Sequence, residues 1–497
     1  MDHRKKTSGR TTTRFLQCLR CRVTTLTLLL TVVLAGCTEP QTTGDWILEG
    51  EHGMVASDSA AASRIGAAVL RAGGNAVDAA TAISFALAVT RPQSTGLGGG
   101  GFLIYRSAED GRVFTLDFRE CAPAAAHPQM FARHSAGSGA EVPLPSRYGF
   151  RAAAVPGLVA GRLEAHQRWG TKPLSELLQG AIMLARDGFI ADEAYVKACH
   201  DAVEIYRAHP QLAASCDYVW RSHLRQGRPP KVGALVRTPA LAALLDRIAS
   251  EGRKGFYGGR VAAGIEAAMA ANDGLITKDD LFRYEVKERE PLRIDYRGYE
   301  IIAMPLPSSG GICLAEILNI LAEFDVGRIA QANPLDVWHL KAEAFKHAFA
   351  DRANWLGDSD FVRVPTAWLT SREYGGSLAA RVSLDLTSEV DGYGLAPPPE
   401  DHGTSHFCVV DSHGNCLVST ETINTGFGSL AAVGDWGLIL NNEMDDFEAE
   451  PGRPNAYGLI HSRRNAILPG KRPLSSMAPT LVLKDRQPVL LIGASGG

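Results

Sequence analysis

The stretch 403–428 places a hydroxyl side chain where it can attack its own backbone. Thr404 directly follows Gly403, and because glycine has no Cβ, its carbonyl stays open to the threonine hydroxyl. That attack moves the acyl group from nitrogen to oxygen, and hydrolysis then splits the chain before Thr404. The freed α-amine has an ordinary pKa of about 7.7 to 8.0, so it can act as general base for its own hydroxyl. The pair predicts self-cleavage and an N-terminal threonine nucleophile; the simpler interpretation is that the two residues only begin a strand.

Two short strands around a turn at 411–415 are predicted to hold this threonine. Apolar and β-branched residues flank a turn that contains glycine and asparagine, which is typical of a β-hairpin. Because side chains alternate between faces, Thr404 and His406 share one face. Thr422 and Asn424 share a face at the end of the second strand. We therefore expect two hydroxyls and an amide to gather at one end of the hairpin.

Motifs elsewhere in the chain accompany the hairpin. In chain order they are 91–101, 116–120, 155–157, 307–311, 346–352 with 356–358, 414–415, 418–424, 427–428, 441–447 and 471–480. Together with the run Thr404-Ser405-His406 they resemble the γ-glutamyltranspeptidase family, which belongs to the N-terminal-nucleophile hydrolases. The resemblance covers almost everything after the N-terminal leader, and a set of motifs this long is highly specific.

The resemblance implies a fold and a way of processing the chain. The expected fold is α/β, a four-layer α-β-β-α sandwich. Cleavage between Gly403 and Thr404 gives a large subunit, 37–403, and a small subunit, 404–497. Members of the family continue beyond the glycine pair at which this sequence ends, so we expect the C-terminal part of the small subunit to be missing.

The resemblance also implies an activity, that of a γ-glutamyltransferase and glutathione hydrolase. A threonine acyl-enzyme passes γ-glutamyl groups from glutathione or related donors to amino-acid or peptide acceptors, or to water, without a cofactor or a metal. The donor head carries an α-carboxylate, and Arg119 is its expected ligand because a guanidinium holds a carboxylate by two parallel hydrogen bonds. The other implied roles are ammonium binding by Asn424, Glu443 and Asp446, carboxylate binding by Ser475 and Ser476, an oxyanion hole from the backbone N–H groups of Gly496 and Gly497, and orientation of the Thr404 hydroxyl by Thr422.

The loop 451–465 is predicted to be a lid over the donor pocket. Pro451-Gly452 and Gly458 supply the joints that a moving loop needs. Tyr457 is the predicted latch, since in lidded members of the family a tyrosine at this position meets the asparagine that Asn424 matches. A plain surface loop is the alternative.

Several of these residues also have simpler interpretations. Arg119 beside Glu120 is the pattern of a surface ion pair. The acidic run 443–446 is typical of a solvated turn, and its carboxylates also suit a calcium ion. His402 and His406 have the spacing of helical zinc ligands, but a strand separates them by about 13 Å, which disfavours a zinc site.

Two short motifs typical of other protein classes find no support in their surroundings. The run 96–101 matches Gly-x-Gly-x-x-Gly but precedes a strand instead of opening a helix, so close backbone approach is a better explanation than dinucleotide binding. No Gly-x-Ser-x-Gly sequence supports a serine triad.

The rival enzyme is an acylase of the same fold that acts on glutaryl side chains; its donor has no ammonium for Glu443 and Asp446 to bind. A rival of another class is a non-catalytic envelope protein that retains the fold.

The first 36 residues have the character of an export signal. A basic region precedes a short apolar run, 23–34, which is too short for a comfortable membrane span. The run Leu34-Ala-Gly-Cys37 resembles the lipobox of bacterial lipoproteins, so we expect Cys37 to be lipidated and the protein to be anchored at the periplasmic face of the cell envelope. The alternative is a soluble secretory signal with a chance cysteine.

Charge and cysteine content narrow the possible partners. The chain has a net charge of -3, and because residues 1–36 contain seven Lys+Arg and one Asp, the rest stands at -9. No nucleic-acid partner is indicated. Six cysteines follow Cys37 without the spacing of a metal site, and we expect them to be buried thiols, with Cys199 and Cys216 as the one candidate disulfide.

Hydrophobic spacing predicts the elements around the hairpin. Strands are expected at 54–56, 102–105, 112–117, 292–304, 436–440, 480–484 and 488–492. Helices are expected from Ser57 or Ser59 to about 72, and at 75–89, 158–169, 174–187, 194–208, 238–248, 312–324 and 335–355.

Overall fold

The computed structural model describes residues 48–131, 145–388 and 403–495. A compact unit begins at Glu51. The leader, the predicted lipidation residue Cys37, the linker up to 402 with His402, and the predicted oxyanion-hole residues Gly496 and Gly497 lie outside these ranges.

The first layer of strands is a six-stranded antiparallel sheet with the Thr404 hairpin near its centre. Its strands, in spatial order, are Met54–Ser57, Thr404–Val410, Cys416–Thr422, Gly100–Arg106, Val113–Asp117 and Lys287–Arg289. The two hairpin strands pair so that Thr404 lies opposite Thr422. The register confirms the predicted hairpin and brings both hydroxyls to one end of the sheet.

A second antiparallel sheet of four strands faces the first. Its strands, in spatial order, are Gln487–Ile492, Thr480–Lys484, Tyr299–Ala303 and Leu292–Tyr296. Ile104 and Val418 of the first sheet pack with Ile302 and Leu481 of the second in one buried cluster. The side chains between the sheets therefore form a buried, apolar central layer.

Helices cover the outer face of each sheet. The most buried helix is Ala76–Thr90, which contacts the Thr404 hairpin and has every side chain buried. Gly310–Ala322 lies against the second sheet and packs in turn against Pro334–Trp355 and Arg372–Ala379. Helix, sheet, sheet and helix make the predicted four-layer α-β-β-α sandwich, which is thus confirmed.

The remaining helices extend the two outer layers. They are Ala60–Arg71, Leu158–Trp169, Leu174–Leu177, Gln179–Asp187, Glu193–Ala208, Leu212–Ser215, Asp217–Ser222, Pro239–Glu251, Lys254–Tyr257, Gly259–Ala271, Lys278–Arg283, Val326–Ala332 and Thr366–Leu369. Two further strand pairs are Phe189–Ile190 with Leu235–Val236, and Ala432–Val433 with Leu438–Ile439. Within residues 48–131, 145–388 and 403–495 no helix is long and apolar enough to cross a membrane.

Three local predictions were wrong. Asn424 does not continue the second hairpin strand, because the strand ends at Thr422 and Asn424 has a φ of +76°. The predicted single strand 292–304 is a hairpin, since Arg297 and Gly298 both take left-handed φ values and turn the chain. The predicted strand 436–440 shortens to Leu438–Ile439.

The glycine run 96–101 serves close backbone packing, as predicted. A Cβ at Gly98 would overlap the backbone of Ile439, and one at Gly99 would overlap the carbonyl oxygen of Thr422. Gly100 already belongs to the strand Gly100–Arg106. The run therefore lets the chain pass directly against the end of the Thr404 hairpin.

Candidate active site

The end of the hairpin holds a connected set of four backbone and hydroxyl groups. The hydroxyl oxygens of Thr404 and Thr422 are 3.1 Å apart. The Thr422 hydroxyl donates to the Gly403 carbonyl oxygen at 2.5 Å and accepts from the Asn424 backbone N–H at 2.8 Å. Because Thr422 has one hydroxyl proton and gives it to Gly403, the Thr404 hydroxyl must donate to Thr422. The hydroxyl chain thus runs from Thr404 through Thr422 to the carbonyl of the preceding residue.

Gly403 is required at this position by space. A Cβ on Gly403 would overlap the carbonyl oxygen of Asn424 and the backbone of Thr425. Asn424 reaches this place because its left-handed φ bends the chain back toward the hairpin end. The interpretation that the Gly-Thr pair merely begins a strand does not explain this fit.

A buried ion pair supports the hairpin just before Thr422. The Glu421 carboxylate accepts from the Arg162 guanidinium and from the Ser84 hydroxyl, whose two contacts are both 2.8 Å. The Arg162 guanidinium lies over the rings of Phe118 and Phe407, 5.1 Å from each centroid. These contacts fix the strand from the face opposite the two threonine hydroxyls. Sequence reasoning missed this pair, because its members are 259 residues apart.

The Arg119 guanidinium is completely buried among carboxylates. Its two arms lie 2.5 Å from Glu443 and 2.5 Å from Asp446, and Glu120 is 3.7 Å away. Its Nε donates to the Pro473 carbonyl at 3.3 Å. The surface ion pair considered for Arg119 and Glu120 is therefore wrong: both side chains are at most 1% exposed.

One arginine lies among three carboxyl groups, and burial is the largest influence on the pKa values of Glu120 and Glu443. Burial works against the Arg119 charge, but Glu443, Asp446 and Glu120 outweigh it and raise the guanidinium pKa. Burial raises the pKa of Glu120 to about 8, partly opposed by Arg119. Burial also raises the pKa of Glu443, again opposed by Arg119. Burial thus favours the protonated form of these two carboxyl groups, and a second cation beside them would favour the ionised form.

The acidic run 443–446 is a buried 3-10 turn, so the interpretation as a solvated turn is wrong. Asn441 holds it in place: its amide donates to Gly98 and Ala154 carbonyls, and its oxygen accepts from the Glu443 N–H. Asp445 pairs with Arg147 at 3.3 Å. Glu443 and Asp446 share Arg119 as their partner, and Asp445 has its own arginine. Among the described residues no group of three or more His, Cys, Asp or Glu side chains is arranged to hold a metal ion.

A pocket with about 380 Å³ of empty space joins the nucleophile to the arginine cluster. Its lining contains seven predicted site residues and four that were not predicted. The predicted ones are Thr404, Thr422, Arg119, Asn424, Asp446, Tyr457 and Ser476. The others are Arg352, Leu459, Leu474 and Met477.

Two predicted residues lie beside the pocket instead of lining it. Glu443 contacts Arg119, which lines the pocket, but does not line the pocket itself. The Ser475 hydroxyl accepts from the Met477 N–H at 3.1 Å, and the Ser475 carbonyl binds Ser309. Arg352 was not predicted, although it ends a motif that the resemblance includes; helical spacing alone gave no reason to single out its side chain.

The predicted latch closes over one side of the pocket. The Tyr457 hydroxyl donates to the carbonyl oxygen of Asn424 at 2.6 Å. The contact is with the Asn424 backbone, whereas the Asn424 side-chain amide donates to the Asn442 carbonyl at 3.0 Å. Asn455 steadies the loop, since its amide donates to Asp446 at 3.0 Å. The loop 451–465 thus lies against the pocket, and its opening stays a prediction.

The cysteines take no part in this site. Cys199 and Cys216 are both buried free thiols, so the candidate disulfide is not formed. Burial raises the pKa of Cys199 to about 12 and that of Cys216 to about 11, which keeps both protonated. The expectation of buried thiols is confirmed for this pair.

Fold and site together define an N-terminal-nucleophile hydrolase, with a glycine-threonine bond at the end of a central sheet strand. Residues 62–497 match the family model described as gamma-glutamyltranspeptidase. The chain belongs to the γ-glutamyltranspeptidase family.

Three similar proteins place the chain within this family. It is 43% identical over 455 residues to the glutathione hydrolase proenzyme of Escherichia coli (strain K12), covering 90% of this chain and 76% of that protein. The γ-glutamyltranspeptidase structure of Helicobacter pylori matches 69% of this chain and 95% of its own, with 38% identity and a TM-score of 0.63. The cephalosporin acylase structure of Bacillus halodurans matches 91% of this chain and 80% of its own, with 27% identity and a TM-score of 0.76.

Proposed function

We propose that the protein is a self-cleaving γ-glutamyltransferase and glutathione hydrolase. The observation that carries the proposal is the hydroxyl chain from Thr404 through Thr422 to the Gly403 carbonyl. Family membership and the proenzyme name of the E. coli relative support it. The donors are glutathione and other γ-glutamyl compounds, and the acceptors are amino acids, peptides or water.

The hydroxyl chain supplies a route for the first step of self-cleavage. As the Thr404 oxygen bonds to the Gly403 carbonyl carbon, its proton passes to Thr422, and the Thr422 proton passes to the Gly403 carbonyl oxygen. The tetrahedral intermediate then breaks its C–N bond to form an ester, and the leaving nitrogen takes the proton that its new hydroxyl group gives up. Water hydrolyses the resulting ester, which leaves a carboxylate on Gly403 and a free α-amine on Thr404. The products are a large subunit that ends at Gly403 and a small subunit that begins at Thr404.

The same threonine then performs the transfer reaction. Its α-amine takes the hydroxyl proton as Thr404 attacks the γ-carbonyl of the donor, and the leaving amine takes that proton when the C–N bond breaks. An amine acceptor or water releases the γ-glutamyl group from Thr404 by the reverse route. Backbone N–H groups of Gly496 and Gly497 are proposed, from the resemblance, to bind the oxyanion.

The charged cluster suits the amino-acid head of a γ-glutamyl donor. Each arm of Arg119 keeps a second N–H besides the one directed at Glu443 or Asp446, so the guanidinium can still hold an α-carboxylate. The donor ammonium adds a positive charge beside carboxylates that outnumber their arginine. Ser475 and Ser476 are the proposed hydroxyl donors to the carboxylate.

N-terminal sequencing tests the self-cleavage. The smaller band on a denaturing gel should begin Thr-Ser-His-Phe, and Thr404→Ala should remain one chain. Ser405→Ala, which changes the next residue on the opposite face of the strand, is the matched control and should still cleave. A small band that begins at another residue would refute the assignment of Thr404.

An acylase acting on glutaryl side chains is the second candidate, favoured by the cephalosporin acylase match. The TM-score of the acylase structure, 0.76, is higher than the 0.63 of the Helicobacter pylori structure. Its sequence identity to this chain, 27%, is lower than the 43% of the E. coli glutathione hydrolase proenzyme. The buried excess of carboxylates also disfavours a donor without an ammonium. The discriminating measurement is kcat/KM for γ-glutamyl-p-nitroanilide against glutaryl-p-nitroanilide. Preference for the glutaryl compound would favour the acylase, and no turnover of either would favour a non-catalytic envelope protein.

We infer an exported, lipid-anchored protein at the periplasmic face of the envelope. The support is the basic and apolar leader, 1–36, followed by Cys37 in a lipobox-like sequence. Metabolic labelling with an alkyne palmitate should mark the wild-type protein and not Cys37→Ser. Cys21→Ser is the matched control and should keep the label. A label on Cys37→Ser would refute the assignment of Cys37 as the lipidated residue.

A further inference from the structure

Arg352 is a buried cation that lines the pocket and has no role in the reaction as described so far. It lies in the last turn of Pro334–Trp355, where the helix C-terminus favours a positive charge. The side chain is 2% exposed and faces the same pocket as Thr404 and Arg119. A buried guanidinium beside a nucleophile calls for a functional explanation because its desolvation is costly.

Two serine hydroxyls accept hydrogen bonds from this guanidinium. Its Nε donates to the Ser309 oxygen at 3.1 Å, and its terminal nitrogen donates to the Ser476 oxygen at 3.2 Å. Ser309 in turn donates its proton to the Ser475 carbonyl at 2.7 Å. Arg352 therefore connects two segments of the chain that meet at the Ser475-Ser476 pair.

The two serines differ in where each hydroxyl can donate its proton. A guanidinium has no acceptor, so each serine oxygen that it contacts must accept. The Ser309 proton is used on Ser475. In the part of the chain that the structure describes, the Ser476 hydroxyl has no hydrogen bond besides the one from Arg352, and its side chain lines the pocket. The Ser476 proton is therefore left to be donated into the pocket.

We propose that Arg352 is a positioning residue that sets Ser476 as a hydrogen-bond donor to the α-carboxylate of the donor head. The guanidinium occupies the acceptor side of the Ser476 oxygen, so the hydroxyl cannot turn its lone pairs toward the bound anion. Its positive charge also strengthens the Ser476 O–H as a donor. The inference rests on the proposed function, because it assigns Arg352 to the recognition of a γ-glutamyl head.

A double-mutant cycle on the self-cleaved enzyme tests the proposal with γ-glutamyl-p-nitroanilide as the donor. Arg352→Gln should raise KM about tenfold and change kcat by less than about threefold, since it weakens binding of the head and not the reaction of Thr404. In a Ser476→Ala background the same change should have almost no further effect. Arg464→Gln is the control: this arginine packs on Trp355 at the same helix end and does not line the pocket, so KM should stay unchanged.

Competitive inhibitors separate carboxylate recognition from a general loss of structure. L-glutamate carries the α-carboxylate and 4-aminobutyrate lacks it. Arg352→Gln should weaken inhibition by L-glutamate about tenfold and leave inhibition by 4-aminobutyrate unchanged. Equal weakening of both inhibitors, or losses that add in the double mutant, would overturn the proposal.

A variant that is not self-cleaved is also informative. If Arg352→Gln remains one chain, Arg352→Lys replaces it in the cycle, since lysine keeps the charge but not the fork that reaches both serines. If neither variant is cleaved, Arg352 serves folding or maturation and the proposal is wrong. Absence of wild-type turnover on γ-glutamyl donors would instead contradict the proposed function, so the two failures are distinguishable.

Discussion

Replacing Thr422 with valine removes the hydroxyl that connects the nucleophile to the bond it attacks. Valine keeps the shape of threonine, so the strand and its packing should persist. The change deletes the 2.5 Å hydrogen bond to the Gly403 carbonyl, the 3.1 Å contact with Thr404 and the 2.8 Å contact from Asn424 N–H. Loss of one donor to a developing oxyanion slows an acyl transfer by about 10²- to 10³-fold. We expect self-cleavage to slow by at least that factor, since the proton route from Thr404 is lost as well.

The assay is a time course of the precursor band on a denaturing gel. Thr422→Ser restores the hydroxyl without the methyl group and should cleave within about tenfold of the wild-type rate. Thr420→Val is the matched control on the same strand face, where the threonine hydroxyl contacts His406 at 2.9 Å and not Gly403. It should cleave at nearly the wild-type rate.

Two results would refute this reasoning. Cleavage of Thr422→Val at the wild-type rate would show that the carbonyl is polarised by another group. Equal slowing in Thr420→Val would mean that any change on this strand face disturbs the hairpin end. Circular dichroism of each precursor checks that its fold is retained.

Three further predictions concern the donor site. Arg119→Lys keeps a charge but loses the planar fork, so kcat/KM for γ-glutamyl donors should fall about 10- to 100-fold. Unchanged kinetics would show that Arg119 does not bind the donor. Burial raises the pKa of Glu120 to about 8, and a bound ammonium favours the ionised form, so the donor KM should fall as pH rises from about 6 to 8. Glu120→Gln should abolish this dependence of KM on pH, and a dependence that persists in the variant would contradict this role. Tyr457→Ala removes the 2.6 Å contact with Asn424 and should raise hydrolysis relative to transfer to an added dipeptide; an unchanged product ratio in cleaved enzyme would exclude the latch.

The hairpin was predictable because its determinants are local. Alternation of apolar residues fixes the faces, and the turn residues fix the register, so Thr404 and Thr422 were expected at one end. Asn424 was misplaced because a single left-handed φ ends the strand, and strand periodicity carries no signal for such a bend. The two-residue turn at Arg297 and Gly298 escaped notice for the same reason.

The burial of the charged residues was not predictable from local sequence. Arg119 beside Glu120, and the acidic run 443–446, have the composition of exposed segments. They are buried because Asn441 ties the acidic turn to the glycine run and brings it over Arg119. The role of Arg352 depends on its contact with Ser476, which the fold makes by bringing the end of a long helix to the Ser475-Ser476 segment. Such partners lie far apart in the chain, so only family resemblance could connect some of them.

The buried charges explain why the donor head should carry an ammonium. A buried ion pair generally gains less from attraction than it loses in desolvation, so Arg119 with three carboxyl groups is poorly explained as a source of stability. Both Glu120 oxygens are buried and have no hydrogen-bond partner within the described residues. A cation that enters beside these carboxylates offsets part of the electrostatic cost of burying them. A glutaryl donor brings only its carboxylate and deepens the excess of negative charge, which is the physical reason to expect selection for γ-glutamyl compounds.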